Sequence, residues 1–153
     1  MNIIESQGDL FDLNSEWVFV HCISSDVTKY RAMGAGIAKT FRQKYPDMPG
    51  EISKSLKVGK AVRYQEGDQV IYNLVTKKNV YNRVGRGMTL KEYNYNLRVA
   101  LGDLRRQMIK NKEKKLAMPK IGSGLDGGSW FLIRRIIEDV FKETSIEIII
   151  KFL

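Results

Sequence analysis

Cysteine and histidine are nearly missing from these 153 residues: Cys22 and His21 are the only ones of their kind. One cysteine excludes an internal disulfide, and a single cysteine with a single histidine leaves a Cys/His zinc site short of ligands. No apolar run approaches the roughly 18 residues of a membrane-spanning helix. The N-terminus, Met1-Asn2-Ile3-Ile4-Glu5, lacks the basic and apolar segments of a signal peptide. Repeats, low-complexity stretches and linker-like segments are absent as well. Residues 1–153 are therefore read as a single domain, a monomer without a membrane partner. Its expected location is intracellular, in a reducing compartment such as cytoplasm or nucleus.

Basic residues are absent from one region and crowded into another. Residues 1–28 carry five acids and no Lys or Arg, whereas residues 29–120 carry 22 bases against seven acids, a local balance of +15 within a net charge of +9. The densest run is Arg105-Arg106-Gln107-Met108-Ile109-Lys110-Asn111-Lys112-Glu113-Lys114-Lys115. It reads either as a solvated helix end, where cations are favoured, or as an attraction for a polyanion or phosphate-bearing ligand. At 43% hydrophobic residues the chain has enough apolar material for a core and too much for a disordered segment.

The hydrophobic pattern alternates between strands and helices. Residues 17–22 form a short β-rich run, and residues 36–45 suit a helix with Ile37, Phe41 and Tyr45 on one face and Pro46 as its stop. Residues 61–65 and 70–76 are strand-like and are joined across Glu66-Gly67-Asp68 as a hairpin. Thr89-Leu90-Lys91-Glu92 has capping-box form and opens a long helix whose inner face holds Tyr93, Leu97, Ala100, Leu101, Leu104 and Met108. Gly102 inside it costs about 1 kcal/mol relative to alanine. A strand at 116–118, a helix from about Ser129 with Ile133, Ile136, Ile137, Val140 and Phe141 inward, and a strand at 146–152 complete the chain. Alternating strands and helices predict an α/β fold with a central sheet covered on both faces and ligands at the carboxyl ends of its strands, and the hairpin makes that sheet mixed.

Two glycine-rich loops fall at such junctions: Met33-Gly34-Ala35-Gly36-Ile37 and Ile121-Gly122-Ser123-Gly124-Leu125-Asp126-Gly127-Gly128. Free N–H groups and the helix dipole there favour an anion such as a diphosphate, although tight turns alone also require glycine. Known phosphate motifs fail on spacing. Ala38 stands where a P-loop has the glycine before its lysine, and Lys39 replaces the third glycine of the dinucleotide fingerprint. His21 and Cys22, adjacent on a strand, point to opposite faces and cannot form a thiol dyad. By spacing alone Lys77 is a solvated lysine and Asp126 a turn residue.

Gly8-Asp9-Leu10-Phe11, His21-Cys22-Ile23-Ser24, Met33-Gly34-Ala35-Gly36-Ile37-Ala38, Leu74-Val75-Thr76-Lys77-Lys78 and Met118-Pro119-Lys120-Ile121-Gly122-Ser123-Gly124-Leu125-Asp126 occur in that order. Together they resemble the macrodomain superfamily, and within it the terminal ADP-ribose protein glycohydrolase branch, over about Gly8 to Leu153. The resemblance implies a three-layer α/β/α sandwich that removes mono- or terminal ADP-ribose from glutamate or aspartate esters, and extends to O-acyl-ADP-ribose. It implies Lys77 as nucleophile and Asp126 as its acid/base partner. It also implies that Asp9 and Leu10 meet the adenine, with Leu153 closing over it. Gly34, Ala35, Gly36 and Ile37 with Lys120, Ile121, Gly122, Ser123, Gly124 and Leu125 would wrap the diphosphate and distal ribose, and Ser24 joins this binding set. The chemistry is self-consistent without cofactor or metal: an amine attacks the aldehyde equivalent at the anomeric carbon, and a neighbouring cation such as Lys78 would help keep it neutral.

Three departures from the branch pattern stand out. The segments 24–33 and 79–88 are longer, the second carrying Arg83 and Arg86, and Lys151 stands where an aromatic residue is expected. With Lys29, Tyr30, Arg31 and Tyr81, these additions raise an ADP-ribosylated nucleic acid as an alternative substrate. A non-catalytic ADP-ribose-binding module and a plain basic nucleic-acid binder are the other readings.

Overall fold

A computed structural model describes Met1 to Leu153. Six strands form one sheet: β1 (Asn2–Gln7), β2 (Val18–Ser24), β3 (Ala61–Glu66), β4 (Gln69–Lys77), β7 (Lys115–Met118) and β8 (Glu147–Phe152), in the spatial order β1-β8-β7-β2-β4-β3. Every neighbouring pair is parallel except β3–β4, the antiparallel hairpin turned at Gly67-Asp68. The sheet is mixed, as the predicted hairpin requires. Two short strands, β5 (Arg83–Val84) and β6 (Gly87–Met88), pair apart from it.

Helices α1 (Gly36–Lys44) and α2 (Met48–Ile52) cover one face; α3 (Leu90–Lys110) and α4 (Trp130–Phe141) cover the other. A central parallel sheet enclosed this way needs apolar side chains on both faces, and β2 supplies them. Its Phe19 and Ile23 pack with Phe41 and Met48 of the first pair of helices, while Val18 and Val20 pack with Leu97, Leu101 and Ile137 of the second. The same alternation sends His21 to stack on Phe41, ring centroids 4.0 Å apart, and turns Cys22 to the opposite face. The three-layer sandwich follows from that two-sided burial.

α3 buries Tyr93, Leu97, Ala100, Leu101, Leu104 and Met108, the predicted face, and runs unbroken through Gly102. The Thr89 hydroxyl caps it by accepting from the Glu92 N–H at 3.1 Å. The basic run 105–115 ends this helix and enters β7. Because β7 runs from there toward Pro119, the run lies at the end of the sheet opposite the strand carboxyl termini. No helix is long and apolar enough to cross a membrane.

Candidate active site

The three central strands end together. β2 lies between β4 and β7, so residues leaving the carboxyl ends of β4 and β7 converge across it. Lys77 closes β4, Asp126 sits in the loop after β7, and Cys22 of β2 lies between them on the floor of a cavity of about 470 Å³. Lys77 Nζ donates to Asp126 Oδ1 at 2.7 Å, in an ion pair whose side chains are only 11% and 15% exposed. The Lys77 ammonium also donates to the Asn82 carbonyl at 2.9 Å and the Val80 carbonyl at 3.4 Å. The charged group beside Lys77 is thus a carboxylate. Lys78, expected as a helpful neighbouring cation, is exposed beyond the strand end.

The walls of the cavity are the two glycine loops. Gly36 opens α1 at φ +59°, a left-handed conformation suited to glycine, and a Cβ there would lie 3.2 Å from Leu125 Cδ1 of the opposite loop. Ala35 offers α1 no side-chain cap, so the N–H groups of its first turn are left to an incoming anion. The second loop folds on itself: the Gly128 N–H donates to the Gly122 carbonyl at 2.8 Å and the Gly127 N–H to the Gly124 carbonyl at 3.0 Å.

Of the residues expected from the sequence, Ser24, Gly34, Ala35, Gly36, Ile37, Lys77, Lys120, Ile121, Gly122, Gly124, Leu125 and Asp126 line this cavity. Ser123 lies outside its lining, its hydroxyl bound to the Lys120 carbonyl at 2.7 Å. Asp9 caps a short 3-10 turn through the Phe11 N–H at 2.9 Å, and Leu10 is buried in the core beneath α1. Leu153 is 94% exposed. Near this edge Phe152 carries the Lys120 ammonium 4.8 Å over its ring, and Lys151 reaches back to Ser6 Oγ at 3.0 Å.

The segment 79–88 forms the roof. The Val84 N–H donates to the Asp126 carbonyl at 2.9 Å, fastening the β5–β6 pair over the second glycine loop, and Tyr81, Arg83 and Arg86 face the cavity. Segment 24–33 is fastened differently. Arg42 of α1 donates to the carbonyls of Lys29 (2.5 Å), Thr28 (2.9 Å), Arg31 (2.8 Å) and Ala32 (2.9 Å). It holds a chain whose Ala32 and Met33 sit at φ 65° and 55°, each at a cost of about 1 kcal/mol or more. Lys29, Tyr30 and Arg31 lie outside the cavity lining, so the two long segments do not form one basic rim.

Tyr93 is the residue that sequence reasoning assigned only to the core. It is fully buried, and its hydroxyl donates to Asp126 Oδ2 at 2.7 Å. A signal was available, since a buried tyrosine oxygen requires a partner that phenylalanine would not. Burial, and then the nearby Cys22 and Asp126, hold the Tyr93 hydroxyl well above its ordinary pKa. Burial likewise pushes the Cys22 thiol up, with Asp126 adding to it, so the cysteine on the cavity floor stays a thiol.

No family model matches the chain. The chain is 35% identical over 142 residues to a Bos taurus protein named ADP-ribose glycohydrolase OARD1, covering 93% of this chain and 86% of that one. The Homo sapiens protein of the same name is 33% identical over the same lengths. Among solved structures, the macrodomain of Mycobacterium tuberculosis DarG superposes with a TM-score of 0.81 at 23% identity, over 97% of this chain and 96% of that one. Thermosipho africanus DarTG in complex with ADP-ribose superposes with a TM-score of 0.74 at 21% identity, over 98% of this chain and 41% of that one.

Proposed function

The chain belongs to the ADP-ribose glycohydrolases of macrodomain fold, and from that premise we propose that it hydrolyses ADP-ribosyl esters of glutamate and aspartate, with Lys77 as nucleophile and Asp126 as its proton partner. The observation that carries the reading is the 2.7 Å contact between Lys77 Nζ and Asp126 Oδ1 on the floor of a cavity walled by both glycine loops. A diphosphate held by those loops places the distal ribose over this pair.

The step balances with these two residues and water. Asp126 takes a proton from Nζ, and the freed lone pair attacks the anomeric carbon. The bond from that carbon to the ester oxygen breaks, and its electron pair leaves with the glutamate carboxylate. Water then adds to the anomeric carbon and gives one proton to solvent. The carbon–nitrogen bond breaks toward Nζ, and Asp126 returns its proton there. Esters of small acyl groups present the same carbon and fit the same route.

The test is ADP-ribose release from a glutamate-linked substrate. Asp126→Ala is expected to slow turnover strongly, because the same carboxylate takes the proton and returns it, and any ADP-ribosyl adduct that intact-mass spectrometry detects is expected on Lys77 when peptides are mapped. Adduct on any other residue would displace Lys77 from the role.

Tyr81, Arg83 and Arg86 at the roof favour a second reading, in which the acceptor is nucleic acid. Neither arginine has a carboxylate partner, and guanidiniums beside an exposed aromatic suit phosphates and a stacked base. An Arg83→Ala/Arg86→Ala variant then loses about tenfold in activity on ADP-ribosylated DNA or RNA, with a shallower salt dependence, and keeps its activity on glutamate esters. Equal effects on both substrates count against this acceptor.

A further inference from the structure

Asp126 has two carboxylate oxygens, and each meets a different side chain: Oδ1 meets Lys77 Nζ, and Oδ2 meets the Tyr93 hydroxyl, both at 2.7 Å. Tyr93 comes from α3, an element with no other part in the Lys77–Asp126 pair. Its hydroxyl reaches Asp126 by passing against Gly122, where a Cβ would stand 2.8 Å from that oxygen and 2.9 Å from Cε1 of the ring. Gly122 also sits at φ +72°, so glycine there serves both the turn and the passage of the tyrosine.

We propose that Tyr93 is a positioning residue for the reaction: its hydroxyl, wedged against Gly122, holds Asp126 Oδ2 so that Oδ1 is the oxygen that exchanges a proton with Lys77. This rests on the Lys77–Asp126 reading above. A carboxylate on a glycine loop can rotate, and rotation would swap its oxygens or carry both away from Nζ. Catalysis by proton transfer requires the base within hydrogen-bond reach in one orientation. Phenylalanine would fill the same volume of core without a polar atom to satisfy, so packing alone does not call for the hydroxyl. Deep burial keeps the Tyr93 proton in place throughout the working range, which makes it a permanent donor to Oδ2. A hydrogen bond between an uncharged hydroxyl and a carboxylate is among the stronger kinds, and it leaves Oδ1 facing Nζ.

The experiment compares Tyr93→Phe, Lys77→Ala and the native protein for ADP-ribose binding by calorimetry and for turnover of glutamate-linked ADP-ribose. The expected result for Tyr93→Phe is a kcat lower by about ten- to a hundredfold, the scale of a misplaced catalytic group, with Kd for ADP-ribose and KM within about twofold. 3-Fluorotyrosine at position 93, which restores the hydroxyl, returns kcat to within about threefold of native. A Tyr93→Phe protein with native kcat overturns the proposal, as does one whose ADP-ribose affinity falls in step with kcat. If Lys77→Ala keeps full activity, the nucleophile reading fails and the proposal with it. If Lys77→Ala is inactive while Tyr93→Phe is unimpaired, the positioning role alone is refuted.

Discussion

Lys77→Ala is expected to lose ADP-ribose release from glutamate esters by on the order of a thousandfold or more, as removal of a covalent nucleophile does elsewhere. Binding of free ADP-ribose should persist within a few-fold, because the glycine loops proposed to hold the diphosphate do not depend on the lysine. The substitution leaves the Asp126 carboxylate with Tyr93 as its remaining side-chain partner and opens space where the four-carbon stem had been. Some loss of stability therefore accompanies the loss of rate, and a melting curve on the same sample separates the two. A folded Lys77→Ala protein that binds ADP-ribose and turns over at the native rate would remove the lysine from the mechanism.

Acid should destabilise this protein through one histidine. His21 is fully buried, stacked on Phe41, with Nε2 2.6 Å from Asn73 Oδ1. Asn73 Nδ2 donates to the Val62 carbonyl at 3.1 Å, so Oδ1 is the acceptor and Nε2 carries the proton. Nδ1 is buried without any partner, and protonating it would place an unsatisfied charge in the core. Burial lowers the His21 pKa from its ordinary 6.5 to about 4, against a smaller opposing effect of Asn73. As pH falls the unfolded chain binds this proton first. The contribution is therefore fully present above about 6.5 and is lost progressively as pH falls through about 4, a total of about 3 kcal/mol. Urea unfolding at pH 7 and at pH 4.5 measures it. In His21→Phe the difference between the two pH values should shrink, even though Asn73 loses a partner and the variant is weaker overall. An unchanged pH dependence in that variant would assign the acid sensitivity to other groups.

How far the fold could be read in advance depended on how each element earns its burial. α3 was legible because its six buried residues recur at helical spacing behind a threonine cap, and the β3–β4 hairpin because glycine marks its turn. β1 was not read as a strand. It is an edge strand paired only to β8, with Ile4 half exposed and little of its length buried, so it carries no alternation to detect. The candidate site divides in the same way. The glycine loops stand out locally, but Lys77 and Asp126 are 49 residues apart and meet only because β4 and β7 both border β2. That is a property of strand order, which periodicity does not encode, and the resemblance of whole motifs supplied it. Tyr93 was hidden by its own regularity, since its place on the inner face of α3 already accounted for it.

The hold of Arg42 on four carbonyls between Thr28 and Ala32 bears on how this protein could change over time. A guanidinium rooted in α1 makes segment 24–33 a bracket hung from the helix that presents Gly36, so the path into Gly34 is set by the bracket and not by the number of residues strung outside it. Lengthening such a segment is entropically mild, about 0.6 kcal/mol for each doubling. Lys29 and Tyr30, both exposed at its crest, can be exchanged or multiplied while Gly34 and Gly36 stay where they are. The surface at the crest of this bracket is thus free to vary, while the meeting of Lys77 and Asp126 beyond the ends of β4 and β7 is left undisturbed.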